Sequence, residues 1–451
     1  MVIRLEKTVA GRAFTTPGQG NPRLWWAVGW CLAAVWALGF PLVSHLHTHR
    51  VWGLSAAIGY GCAAIAACRL PWPRARTASL VCALAGAVVV PLTYLVLTGA
   101  QQSEVGVIER SGALMLHQGT PYLAHPHEAV EYTPYLPGMA LFGMPRALLG
   151  ADHGALSLLG DARVWCALVL LGCLEAGRRV LNTPGPARPP RDGRLPYGTA
   201  LSLLIASPLV ALPLCVSGVD LPLTGLCCLA LACAARDRPV AAGLALAAAC
   251  SLKWTAWPAV AVAVALLGWS YGRRAAVRGA VTATAGTALL ILPSALLAPR
   301  AMVEQVLAFP TGMGGVATPA DSPLPGRLLA DLGPVGWYAA VGLLLLGALT
   351  VGASLLLRPP TGLVSAAQRL AAGLCVGFLL APAGRFGYLA LPIVLVVWTR
   401  QAAPERATRV VRPHAVSRRS GVDAPRSDTA RPRGVVGTTT AAGSATAGGS
   451  R

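Results

Sequence analysis

Long apolar runs separated by short polar or basic links dominate the chain from Leu24 to Arg400. A helix crossing a bilayer core needs about 20 apolar residues, fewer where its ends snorkel. The pattern predicts spans over 24–43, 51–68, 78–98, 161–177, 197–216, 220–235, 276–298, 335–357, 366–383 and 386–399. The stretch 240–270 is interrupted by Lys253 and Pro258, so it reads as two short spans, 240–252 and 255–270. The expected fold is an all-α polytopic membrane protein of about 12 spans, or 10 to 11 if the short ones are re-entrant. A leader over 1–23 precedes this membrane domain of 24–400, and a low-complexity tail over 401–451 follows it. The leader is too polar and too long for a cleaved signal peptide.

Composition agrees. Of 451 residues, 55% are hydrophobic and only 12% charged, about half the usual charge of a soluble domain. A soluble enzyme and a disordered chain are both excluded on those grounds. The net charge of +20 would suit a nucleic-acid binder, but its placement does not. Ten of the 37 basic residues lie from Arg400 onward, and the rest form short clusters between apolar runs. Membrane lipids, not nucleic acid, are the expected partner, with the arginine-rich tail on anionic head groups.

With both termini cytoplasmic, 29 of the 37 Lys and Arg fall on inside loops or their flanks. The opposite side carries eight, together with ten of the 17 carboxylates. This asymmetry predicts a multi-pass cell-membrane protein with cytoplasmic ends. Two outer loops, 99–160 and 299–334, are much longer than a connection needs, and long loops in compact proteins are usually functional. Function is expected to face outward.

The first outer loop gathers Glu104, Glu109, Glu128 and Glu131 with His117, His125 and His127. Glu104 follows a span and precedes an apolar segment, a setting that can raise a carboxyl pKa and make a base. Glu128 and Glu131 read as solvated loop charges. His125-Pro-His127 lacks a fixed carboxylate spacing and reads as loop histidines before it reads as a metal site. Three further charges mark span ends: Asp220 in SGVDLP, Lys253 in SLKWTAW and Arg385 in PAGRFGY. Snorkelling or an Asp220–Lys253 ion pair would explain them. So would a lipid-phosphate site, since all three emerge on the face of the acidic loop. The 12 cysteines lie in or beside apolar runs and read as small buried hydrophobes.

The string Glu104 … Leu116-His-Gln-Gly119-Thr-Pro121-Tyr122, then Tyr132-Thr-Pro134-Tyr135-Leu-Pro137, resembles the first outer loop of family 87 glycosyltransferases. These are membrane mannosyltransferases of the GT-C superfamily. SGVDLP, SLKWTAWP and PAGRFGYLALP resemble further segments of the family, and the likeness covers roughly 78–400. Glu104 stands where the family's loop has an aspartate, and Tyr135 where Y-P-P has its second proline. Two further spans precede a loop that usually follows the first.

The resemblance implies a GT-C-like bundle, a polyprenyl-phosphate-sugar donor, such as a mannose carrier, and an extracytoplasmic acceptor. Glu104 would be the catalytic base, with Glu109 as its understudy. Lys253 and Arg385 would hold the lipid phosphate, Tyr122, Tyr132 and Tyr135 would stack on sugar or polyprenyl chain, and Asp220 and Tyr388 would join the substrate site. No metal ligand is assigned and no cofactor is certain; a divalent metal is not required by this chemistry and has no clear site. A transporter or flippase would show internal repeats and midplane charges; no repeat stands out, and the charges collect at one face. A non-catalytic membrane scaffold is the remaining alternative.

Overall fold

In a computed structural model, the described residues are 22–150, 154–182, 195–313, 316, 318–320 and 322–402. They fall in one compact unit. The leader up to residue 21, residues 183–194 of the basic link 178–196, and the tail beyond 402 lie outside them. Among the described residues the regular structure is helical, with only an isolated bridge pairing at Gly384.

The first three helices are α1 (Pro22–Val43), α2 (His47–Arg69) and α3 (Trp72–Leu97). The next are α4 (Ser103–Gln118), α5 (Ala162–Leu181), α6 (Tyr197–Ala206) and α7 (Pro208–Val216). Then come α8 (Leu221–Ala234), α9 (Pro239–Leu252), α10 (Trp257–Tyr271) and α11 (Arg273–Leu297). The last are α12 (Pro334–Leu357), α13 (Leu363–Leu380) and α14 (Phe386–Ala402). Several begin with proline in their first turn, where a missing N–H costs nothing. Pro258 likewise starts α10, so the break in 240–270 falls at Lys253.

Each of the twelve expected segments is helical, though not every one has the length and apolarity of a full span by itself. Seven helices are long and apolar enough to span, or eight if α6 and α7 count as one span bent by 59°. α5 is 20 residues long but carries Arg163, Glu175, Arg178 and Arg179, while α8, α9 and α14 are shorter apolar helices. The α6–α7 bend follows from Pro208, which has no N–H to continue the ladder. Ser207 Oγ donates to Leu204 O at 2.6 Å, and Tyr60 Oη donates to Ala206 O at 2.6 Å, satisfying carbonyls at the break. A π-turn at Ala85–Val89 within α3 similarly receives Trp52 Nε1 on Ala87 O and Ser55 Oγ on Gly86 O.

α8 is the centre of the bundle: 12 of its 14 residues are buried. Gly225 sets its distance from α5, because a Cβ there would stand 2.9 Å from Leu170 Cα. Cys166, Cys173, Cys215, Cys227, Cys228, Cys233 and Cys250 are buried free thiols packed as small apolar groups. Cys31, Cys62 and Cys68 are exposed instead, on the outer flanks of α1 and α2. Peripheral α12 buries only Gly336, Ala340 and Leu355, as expected of a helix whose other faces meet lipid.

The first long loop is substantially helical, containing α4 and short turns at Pro137–Phe142, Met144–Leu149 and Ala155–Gly160. Gly119, at φ +74°, ends α4 with its N–H on Met115 O, a conformation glycine adopts without strain. The second contains Pro299–Val303, a π-turn at Glu304–Ala308, Phe309–Thr311 and Pro325–Ala330.

Candidate active site

Residues 98–102 deliver Glu104 to the first turn of α4, where the helix dipole favours a negative charge. This short link is held firmly. Arg163, wholly buried, forms a bidentate pair with Asp161 and donates from Nη1 to Ala100 O and Cys215 O. Gln102 N donates to Val216 O at 3.3 Å, and the Gln102 side chain meets His49 Nε2 at 3.0 Å.

Glu104 Oε1 accepts from Arg385 Nη1 at 2.6 Å, across 281 residues of sequence. Arg385 sits in extended backbone just before the turn Phe386–Leu389. Lys253 occupies the extended break between α9 and the turn Trp254–Ala256, so its side chain leaves the bundle where the helix stops. Its Nζ donates to Asp220 Oδ1 at 2.9 Å and lies 4.4 Å from the Tyr388 ring centre and 5.8 Å from that of Tyr135. Burial pushes the Lys253 pKa down, but Asp220, Tyr388 and Glu104 together outweigh it, with the net effect upward, so the ammonium stays charged.

Glu104, Lys253, Arg385, Tyr132, Tyr135 and Tyr388 line one cleft. Its remaining walls come from both outer loops, the α9–α10 link and the end of α13, including Val107, Val130, Trp254, Phe309 and Phe378. Charged groups converging in a largely apolar cleft make it the candidate active site.

Other residues singled out from the sequence lie apart from it. Asp220 stands behind Lys253 and is not a wall of the cleft. Tyr122 is buried, with its hydroxyl donating to Tyr135 O at 3.0 Å, and so supports the loop from within. Tyr132 lines the cleft, but its ring stacks on Phe309 at 4.4 Å and its hydroxyl donates to Glu304 Oε1 at 3.3 Å. Phe309 therefore occupies one face of the ring that was expected to stack on substrate. Glu109 points away from the cleft toward Asp161 and Arg146, and its Oε1 is buried without a hydrogen-bond partner. Burial, then the Asp161 carboxylate, raises its pKa. Glu131 closes a turn by accepting from the amides of His127 and Glu128, which lowers its pKa. Glu128, His117, His125 and His127 are exposed. No group of three potential metal ligands occurs among the described residues.

Sequence reasoning missed Glu304, Gln305 and Phe309, all of which act on the first loop. One signal was available: Glu304 is the only carboxylate between 299 and 320.

The model of glycosyltransferase family 87 matches residues 132–382, more than half of the chain. The chain belongs to glycosyltransferase family 87. No curated protein and no solved structure matches it. As a family 87 member it is a membrane glycosyltransferase, acting on a donor and an acceptor, which sets aside the transporter and scaffold alternatives. The match begins at Tyr132 and ends at Pro382, so Glu104, Arg385 and Tyr388 lie outside it. Geometry, not the family match, brings those three to the cleft.

Proposed function

We propose that this family 87 glycosyltransferase moves a hexose, mannose by the family likeness, from a polyprenyl-phosphate-sugar to an extracytoplasmic glycan, lipid or protein. The observation that carries the reading is the meeting of Glu104, Lys253 and Arg385 in one cleft. Glu104 takes the proton of the acceptor hydroxyl as that oxygen bonds to the anomeric carbon. The bond from that carbon to the phosphate oxygen breaks, and the lipid phosphate leaves on Lys253 and Arg385. A phosphate leaving group needs no proton donor, unlike the leaving alcohol of a glycoside hydrolase. Arg385 is engaged by Glu104 at rest, so an arriving phosphate that takes the guanidinium also releases the base.

The reading includes a cell-membrane bundle of about 12 crossings with both termini cytoplasmic and loops 99–160 and 299–334 outside. It also includes a membrane domain over 24–400 between the leader and a basic, low-complexity tail over 401–451. Purified protein given radiolabelled polyprenyl-phosphate-mannose should transfer label, and Glu104→Gln should abolish most transfer. Transfer from a polyprenyl-phosphate-glucose donor alone would overturn the mannose assignment. A cysteine at exposed Ala124, with Cys31, Cys62 and Cys68 replaced by serine, should react with an impermeant reagent applied outside. One at Pro186, outside the described residues, should not; the reverse pattern inverts the topology.

A further inference from the structure

The excursion Leu123–Thr133 contributes Ala129, Val130 and Tyr132 to the wall of the cleft. It contains no helix or strand, so side chains from elsewhere must hold it. Arg110 of α4 donates to Val130 O at 2.8 Å and to Glu131 O at 2.9 Å. Gln305 of the second outer loop holds both ends. Its Nε2 donates to Leu123 O at 2.7 Å, and its Oε1 accepts from Thr133 N at 3.0 Å. One wholly buried amide therefore bridges the excursion as a ladder rung would. Gln305 sits in the π-turn Glu304–Ala308, a wide turn often found at functional positions. The flanking Glu304 and Phe309 both meet Tyr132.

We infer that Gln305 is a positioning residue that fixes the acceptor-side wall of the cleft, and so sets where a saccharide hydroxyl stands relative to Glu104. This rests on the transfer reaction proposed above. The cations for a phosphate lie at helix ends, on Lys253 and Arg385. The excursion offers the cleft no cation: its lining residues are Ala129, Val130 and Tyr132, and Val130 is half-exposed. That surface suits the C–H faces of a sugar arriving from water and not the phosphate of a lipid. Without Gln305, Leu123 O and Thr133 N lose their buried partner. The wall then shifts while the phosphate end stays in place.

The test uses full-length protein in detergent, polyprenyl-phosphate-mannose as donor and octyl α-mannoside as the acceptor probe. Gln305→Leu, which removes both hydrogen bonds, should lower kcat/KM for the acceptor about 10- to 100-fold. Donor KM should stay within about twofold, since no phosphate-binding group has changed. Gln305→Glu keeps an acceptor for Thr133 N and loses the donor to Leu123 O, so it should fall between; it carries the test if Gln305→Leu does not fold. Unchanged acceptor kinetics, or equal losses for donor and acceptor, overturns the inference. Hydrogen exchange reads the clasp separately: peptides over 123–133 should exchange faster in the variant, and peptides over α8 unchanged. Wild-type exchange over 123–133 also overturns it. If the wild-type protein transfers no mannose, the proposed function fails, while the exchange comparison still decides the clasp.

Discussion

Asp220–Lys253 and Glu104–Arg385 are both short carboxylate–cation contacts, 2.9 and 2.6 Å, beside the same cleft. The first joins the start of α8 to the end of α9, two heavily buried helices, and only its lysine reaches the cleft. The second joins an outer-loop helix to an irregular link, and both partners line the cleft. A pair with one member outside can hold its cation in place throughout a reaction. A pair with both members inside has to part whenever a substrate needs either one. Under the proposed reaction, Lys253 is a fixed charge, and Glu104 and Arg385 are exchangeable partners.

The largest expected effect tests the exchangeable pair. Glu104→Gln should fold normally and lose about 10²–10⁴ in single-turnover rate, the usual worth of a general base. Glu104→Asp should retain partial activity. Wild-type turnover in Glu104→Gln would remove this carboxylate from the chemistry.

Next are the cations. Arg385→Ala and Lys253→Ala should each lower kcat/KM for the lipid donor about 10- to 100-fold, as expected for a lost charged hydrogen bond. Thermal melting should separate them. Lys253→Ala removes the more buried cation, packed between the ends of α8 and α9, and should lower Tm more than Arg385→Ala, whose side chain is the more exposed. Equal Tm losses would erase the distinction between fixed and exchangeable charge. Asp220→Asn, which can still hydrogen-bond Lys253, should raise donor KM less than either cation variant.

The smallest effect concerns Glu109, five residues from Glu104 and facing away from the cleft. Its carboxyl pKa is raised by burial. Its stabilising contribution is therefore fully present below the unfolded-state value and fades as pH rises through the folded one. Glu109→Gln should leave turnover near wild type and raise Tm more at pH 8 than at pH 5. A dead Glu109→Gln beside an active Glu104→Gln would exchange their roles.

Much of this arrangement was legible in the sequence, because apolar run length and outer-face charge are local properties. The twelve segments are helical, and Glu104, Lys253 and Arg385 converge, since each lies where an apolar run stops. Crossing length was harder to read. α8 and α9 are as apolar as spans, but they are internal and short, and composition does not separate a buried helix from one that meets lipid. Partnerships between distant loops were not legible either. The pattern gives Gln305 no feature that distinguishes it from a solvated loop glutamine until Leu123 O and Thr133 N are placed against it. Tyr122 and Tyr132 looked like free aromatic surfaces because their covering groups, the Tyr135 carbonyl and the Phe309 ring, come from tertiary packing.

The 281-residue separation of Glu104 and Arg385 also bears on how the enzyme is made. During synthesis, a chain extended only to Gly384 has threaded all but its last helix and still has one side of the cleft missing. Closing so long a loop comes late in folding. A premature stop anywhere before Arg385 would leave a membrane-inserted but inert product. Sugar transfer should therefore begin only after α14 is in place, so that half-built copies cannot act on donor or acceptor at the site of translation.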